Sequence, residues 1–266
     1  MLRTALAVLI VAVLALGAGR AQQPALPAGP VDPRLGCDTA TTFPEPDLGE
    51  PANIDIFKKQ LLYYRCTKYE QDVAKVLADA QRWVAARAPQ VARPAIVLDI
   101  DETSLSNWPR IWQDDFAFVS GGTCDFEVGD ACGDLDWQQS ALAQAIAPTL
   151  ALYDAARCVG RADGCSKVEV FFVTGRRESR HRDEMASAWT LRNLDRAGYG
   201  AVARDHLYMR DPAGNGSVSN HKTAARIDIE AKGFVIIANI GDQKSDLAGG
   251  HAEMTFKVPN PFYFLP

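Results

Sequence analysis

The sequence has no long apolar run. Its longest hydrophobic stretch, Ala5 to Leu16, falls short of the roughly 20 residues a membrane-spanning helix needs. No CxxC pair occurs, so the cysteines lack the usual spacing of a structural zinc site. A GxSxG elbow is also missing, and with it the familiar serine-hydrolase nucleophile. Histidine is scarce: only His181, His206, His221 and His251 are present. The one flanked by arginines, His181 in SRHRDE, falls inside a helical pattern, which argues against an RHG-type histidine nucleophile. Positive charge is in deficit as well, with 28 Lys and Arg against 33 Asp and Glu. An acidic chain is a poor nonspecific binder of nucleic acid polymers or anionic membranes.

What is present at the start is Arg3, the short apolar run, and small residues at Gly19 and Ala21. This is the pattern of a secretory signal cleaved after Ala21, with no stable membrane anchor. Residues 1–21 are therefore read as a signal peptide, 22–52 as a Pro- and Gly-rich extended segment, and 53–266 as the folded domain. Export places the protein in the periplasm or outside the cell. The even set of cysteines, Cys37, Cys66, Cys124, Cys132, Cys158 and Cys165, then favours disulfides, although six cysteines permit fifteen pairings. Local loops would join Cys124 to Cys132 and Cys158 to Cys165, leaving Cys37 for Cys66.

Five apolar segments read as strands: Ala95–Leu98, Val168–Gly175, His206–Arg210, Val235–Asp242 and Thr255–Asn260. Helical spacing marks 53–88, 179–196 and 221–232. Continuous apolar strands alternating with helices indicate an α/β fold with a parallel sheet covered on both faces. The segment 104–167 breaks the alternation. It carries Trp108, Trp112, Phe116, Phe118 and Trp137, four of the cysteines, and one helical stretch at 136–157. It reads as an insertion over the edge of the sheet, placed as lids often are.

Ligands of open parallel sheets bind beyond the carboxyl ends of the strands. The first strand ends in Asp99 and Asp101, the second in Thr174, Gly175 and Arg176, and the last long one in Asp242 followed by Asp246; Lys222 precedes the helix between the later strands. Each feature alone is most simply a helix cap or a solvated side chain. Together they are the inventory of phosphoryl transfer. Clustered carboxylates repel unless a cation neutralises them. Hard oxygen ligands of this kind suit Mg²⁺, and a lysine and a hydroxyl can hold phosphate oxygens. Residues i and i+2 of a strand share a face, so Asp99 could attack phosphorus while Asp101 protonates the leaving oxygen.

The strings DIDET, VTGR, HKT and GDQKSD, in that order, resemble the four motifs of the haloacid dehalogenase superfamily of phosphotransferases. DIDETSLSN and NIGDQKSDL are more narrowly similar to its secreted acid phosphatases, the group with plant vegetative-storage-type and bacterial class B/C-like enzymes. The likeness runs from about Ile56 to the C-terminus. It implies a Rossmann-like three-layer core with a cap inserted after the first strand, at about 104–167, and a Mg²⁺-dependent acid phosphatase acting on small phosphomonoesters, nucleotides among them.

By the same resemblance Asp99 is nucleophile and Mg²⁺ ligand, and Asp101 is general acid/base and lends the metal its backbone carbonyl. Thr174 and Gly175 bind the phosphoryl group, Lys222 stabilises nucleophile and phosphate, and Asp242 ligates Mg²⁺. Asp246 orients either the water shell of the metal or Lys222. Asn107 and Trp108 shape the substrate entrance, where Trp108, Trp112 and Phe116 could stack on an aromatic leaving group or simply pack the cap. Some storage-protein relatives lack the nucleophile; this chain has Asp99. An idle storage or binding protein on the same fold is the alternative, and a homodimer is compatible with either.

Overall fold

The computed structural model describes residues 34–37, 53–158, 167–214 and 216–265. The signal peptide, most of the 22–52 segment and Cys165 lie outside the described residues.

Strand β1, Pro94–Leu98, is buried along its whole length. A stretch of Pro, Ala, Ile, Val and Leu has no side chain that gains from water, so it takes the centre of a sheet. The other strands are β2 (Leu105–Ser106), β3 (Gln144–Ala145), β4 (Glu169–Arg177), β5 (Arg180–His181), β6 (Glu184–Met185), β7 (Leu207–Arg210), β8 (Val235–Gly241) and β9 (Thr255–Lys257). The main sheet runs β7-β4-β1-β8-β9, and every pairing in it is parallel. The pairs β2/β3 and β5/β6 form small antiparallel ribbons.

Alternation along β1 sorts its side chains between two layers. Ala95 and Val97 pack with Ala225 and Ile229 of helix α7 (Val218–Ala231). Ile96 and Leu98 face the larger cluster. That cluster holds Val73, Leu77 and Val84 of α2 (Tyr69–Arg87) and Leu152 of α5 (Ala147–Ala156). Helices on both faces make the three-layer α/β core expected from the strand pattern.

Several elements differ from the sequence reading. The 53–88 helix is two, α1 (Ile54–Thr67) and α2, because Lys68 leaves helical geometry at φ −124°. The 136–157 helix is split into α4 (Asp134–Ser140) and α5. Ala141 turns left-handed at φ +55°, and Pro148 suits a new first turn but not the interior of a continuing helix. Helix α6 (Ala186–Leu194) starts late, because the ribbon β5/β6 with Arg182 and Asp183 at positive φ occupies the preceding residues. His181 therefore sits in a ribbon, not a helix.

Within 104–167, α5 lies against α2 and β4 as part of the core layer. The part outside the sandwich is 104–146, with β2, β3, α3 (Trp108–Gln113) and α4. The disulfides Cys37–Cys66 and Cys124–Cys132 are formed, and Cys158 is also disulfide-bonded. No described helix is long and apolar enough to cross a membrane.

Candidate active site

The carboxyl ends of β1 and β8 bring Asp99, Asp242 and Asp246 together, with Lys222 among them. Asp99 leaves β1 with its N–H donated to the Ile240 carbonyl of β8 at 3.0 Å, and its own carbonyl accepts the Ser104 hydroxyl at 2.5 Å. The carbonyl of Ile100 accepts the N–H groups of Ser104 and Leu105, both at 2.8 Å, so the chain folds back at once. Asp99 is therefore fixed at both its backbone groups.

Lys222 lies in the second turn of α7, not ahead of the helix, because the helix starts at Val218 with Ser217 as its cap. Its ammonium donates to Asp99 Oδ1 and, at 2.5 Å, to Asp246 Oδ1. One turn later on the same face, Arg226 donates to the carbonyls of Asp246 and Gly250, both at 2.8 Å. Asp246 Oδ2 accepts the Gln243 N–H at 2.7 Å, closing a capping box on α8 (Lys244–Leu247). Asp242 accepts the Thr103 hydroxyl at 3.1 Å and the side-chain amides of Gln243 and Asn260 at 2.6 and 2.7 Å.

Carboxylate oxygens of Asp99, Asp242 and Asp246 lie within 4.8 Å of one another, and all three residues are buried. Asp246, expected to act only on the water shell or on Lys222, thus stands in the acidic cluster itself. The carboxylate of Asp101 points elsewhere. Arg176 grips it through Nε at 3.0 and 3.1 Å and through a terminal nitrogen at 2.7 Å, and the Asn107 amide donates to it at 2.8 Å. Arg176 stands at the end of the second strand in the sequence as well, but the sequence assigns it no role.

Thr174 is fully buried inside β4, which runs on to Arg177, and its hydroxyl accepts the Arg176 N–H at 3.1 Å. Trp108 does not shape an entrance. It is 1% exposed, donates its indole N–H to the Leu35 carbonyl at 2.7 Å, and packs against Trp112, Phe116 and Phe262.

Burial pushes the Asp99 carboxyl well above its usual value; Lys222 opposes the rise, while Asp246, Asp242 and Asp101 add to it. Burial also raises Asp242, with the Asp246 charge adding to it. Burial would raise Asp101 too, but the charge and hydrogen bonds of Arg176, with Asn107, hold it below the ordinary carboxylate range. Burial would lower Lys222, but Asp99 and Asp246 keep it above its ordinary value. The cluster is thus an excess of buried negative charge only partly neutralised by one ammonium and one guanidinium.

A cavity of about 590 Å³ opens at Asp101 and Arg176, and Asp99, Lys222, Asp242 and Asp246 are not among its lining residues. Asp101, Asn107, Gly175 and Arg176 are among its polar lining residues, and Phe116, Phe118, Phe262 and Phe264 among its apolar ones. Phe118 and Phe264 remain largely exposed at 77% and 67%.

Residues 52–266 match the family model of HAD superfamily, subfamily IIIB (Acid phosphatase). Acid phosphatase 1 of Solanum lycopersicum is 32% identical over 174 residues, 65% of this chain and 60% of that protein's length. The stem 28 kDa glycoprotein of Glycine max is 29% identical over 208 residues, 76% of this chain and 72% of its own. Vegetative storage protein 2 of Arabidopsis thaliana is 36% identical over a shorter 77 residues, 29% of this chain and 28% of its own. Among solved structures, the class C acid phosphatase from Bacillus anthracis superposes with a TM-score of 0.55 at 20% identity, covering 78% of this chain and 86% of that one. That likeness is one of fold. With the family match spanning both the core and the acidic cluster, the chain belongs to subfamily IIIB of the HAD superfamily, the acid phosphatases.

Proposed function

We propose that the chain is an exported, Mg²⁺-dependent acid phosphatase that hydrolyses small phosphomonoesters through an aspartyl-phosphate on Asp99. The observation that carries this reading is the Lys222 ammonium held between Asp99 and Asp246, with Asp101 next to them on the wall of an open cavity. Asp99 attacks phosphorus, and the bond to the leaving oxygen breaks as Asp101, in its protonated form, gives that oxygen a proton; because Arg176 and Asn107 favour the ionised carboxylate, acidic pH is what populates that form. Asp101 then takes a proton from the water that attacks the aspartyl-phosphate, and inorganic phosphate leaves with Asp99 restored. Lys222, Thr174 and the backbone at Gly175 hold phosphoryl oxygens, which is most of what such a transfer requires of a protein.

The donor set fits Mg²⁺. Asp99, Asp242 and Asp246 offer only hard oxygens, and their mutual repulsion is what a divalent cation relieves. Asp99 and Asp242 would hold the ion with the backbone carbonyl of Asp101, and Asp246 would steady its water shell through its place in the cluster. Bound there, the ion supplies neutralising charge to the phosphate and the carboxylates.

The four phenylalanines of the cavity favour an ester with a flat or apolar leaving group, nucleotides included. A panel of nucleotides, sugar phosphates and aryl phosphates ranks these classes. Asp99→Asn abolishes hydrolysis of an aryl phosphate while leaving the circular dichroism spectrum unchanged; retained turnover overturns the assignment. Relatives that carry storage-protein names favour a second reading, an idle protein on the same fold. An acidic-pH assay with and without EDTA separates the two, since the storage reading requires no metal-dependent turnover on any ester.

A further inference from the structure

Glu102 is a buried acid for which the proposed reaction has no use. It is 1% exposed and sits at φ +55°, a backbone region that side chains seldom adopt, in the turn between β1 and β2. A strained backbone that also buries a carboxylate is a costly arrangement to keep for packing alone.

The Glu102 carboxylate collects neutral donors from two distant parts of the chain. Oε1 accepts the Asn107 N–H at 2.5 Å, and Oε2 accepts the Asn107 amide at 3.0 Å and the Tyr263 hydroxyl at 2.6 Å. Asn107 passes the restraint on. Its amide nitrogen also donates to Asp101 Oδ1 at 2.8 Å, and its Oδ1 accepts the indole N–H of Trp137 at 2.8 Å. An amide has two N–H donors on one side and an acceptor on the other. Here the two carboxylates take the donors and the indole takes the acceptor, so the amide cannot flip without breaking all three contacts. Arg176 supplies charge and three contacts to Asp101, Asn107 adds one further donor, and Glu102 together with Trp137 holds the Asn107 amide in that orientation.

We infer that Glu102 is a positioning residue for leaving-group protonation, orienting the Asp101 carboxyl toward the cavity through Asn107. The inference rests on Asp101 being the general acid. Proton donation matters for a poor leaving group and hardly at all for one that departs as a stable anion. The value of kcat/KM covers the steps up to departure of the alcohol, so it isolates this proton transfer from hydrolysis of the intermediate.

The test compares glycerol 3-phosphate with 2,4-dinitrophenyl phosphate in Glu102→Gln, Asn107→Ala, the double variant and Asp101→Asn. Glu102→Gln is expected to lower kcat/KM about tenfold or more on the alkyl ester and less than about threefold on the dinitrophenyl ester, a part of the roughly hundredfold to ten-thousandfold that general acid catalysis supplies. The double variant should lose no more than Asn107→Ala alone, since both act along one line of contacts. Equal losses on the two esters in Asp101→Asn overturn the acid reading and this inference with it. A selective loss in Asp101→Asn beside equal losses in Glu102→Gln, or additive losses in the double variant, overturns the inference alone. If Glu102→Gln does not fold, Asn107→Ala decides by the same comparison: a selective loss supports the inference and an equal loss overturns it.

Discussion

Removing the ammonium of Lys222 leaves Asp99 and Asp246 facing each other in a space nearly closed to water, with side chains 6% and 3% exposed. Breaking one partner out of a buried ion pair costs about 3–5 kcal/mol. Lys222→Met is therefore expected to lose that much stability in EDTA, read by urea denaturation, and a loss under about 1 kcal/mol would contradict this charge balance. Mg²⁺ should return part of the loss, because it neutralises the same carboxylates. At this scale the sequence was most informative where a motif carried the residue. Asp99, Asp242 and Lys222 stood out in DIDET, GDQKSD and HKT. Arg176 and Glu102 did not. An arginine after TG reads like any solvated arginine, and its tie to Asp101 spans 75 residues and exists only because β4 lies beside β1. The value of Glu102 lies in a positive φ and in partners as far away as Tyr263, neither of which a local pattern records.

At the scale of elements, β1, β4, β7, β8, α2 and α7 were legible because each buries a face whose period shows in the sequence. The ribbons β2/β3 and β5/β6 were not, since two-residue strands have no period to read. The split between α4 and α5 was written in Pro148 and in the left-handed Ala141, but only the proline is visible before folding. The junction of β8 and α8 shows how an element end builds the site. Gly241 closes β8, and a Cβ there would meet the Cβ and carboxylate of Asp246. The missing side chain is what lets Asp246 fold back onto the Gln243 N–H and Lys222. Gly241→Ala should push Asp246 out of the cluster and weaken Mg²⁺ binding about tenfold to a hundredfold, the range seen when the supports of metal ligands are lost. Calorimetric titration with Mg²⁺ checks this, and an unchanged affinity would remove Asp246 from the metal environment.

For the molecule as a whole, the acidic cluster is a local cost carried by a well-buried frame. Asp99 follows a central strand with helices on both sides, so the fold can hold a carboxyl where it is least comfortable. Burial, with Asp246, Asp242 and Asp101 nearby, raises its folded-state pKa well above the ordinary 3.8 despite Lys222. A carboxyl with a raised folded pKa binds more protons folded than unfolded, so stability falls as pH climbs from the unfolded value toward the folded one and stays low beyond it. Asp99→Asn removes this titration and one repelling charge, while Lys222 keeps Asp246 as its partner. In EDTA at neutral pH the variant should therefore melt higher than the wild type, although it is inactive. The difference should shrink as the pH is lowered toward 4, where the wild-type carboxyl is protonated. Saturating Mg²⁺ should reverse the order, since a ligand stabilises the form that binds it more tightly. Thermal melts of both proteins across pH, with and without Mg²⁺, read the two effects separately. An Asp99→Asn variant that melts lower than the wild type in EDTA at every pH would mean that the Lys222 pair outweighs the repulsion, and that Asp99 stabilises the fold as well as serving the reaction.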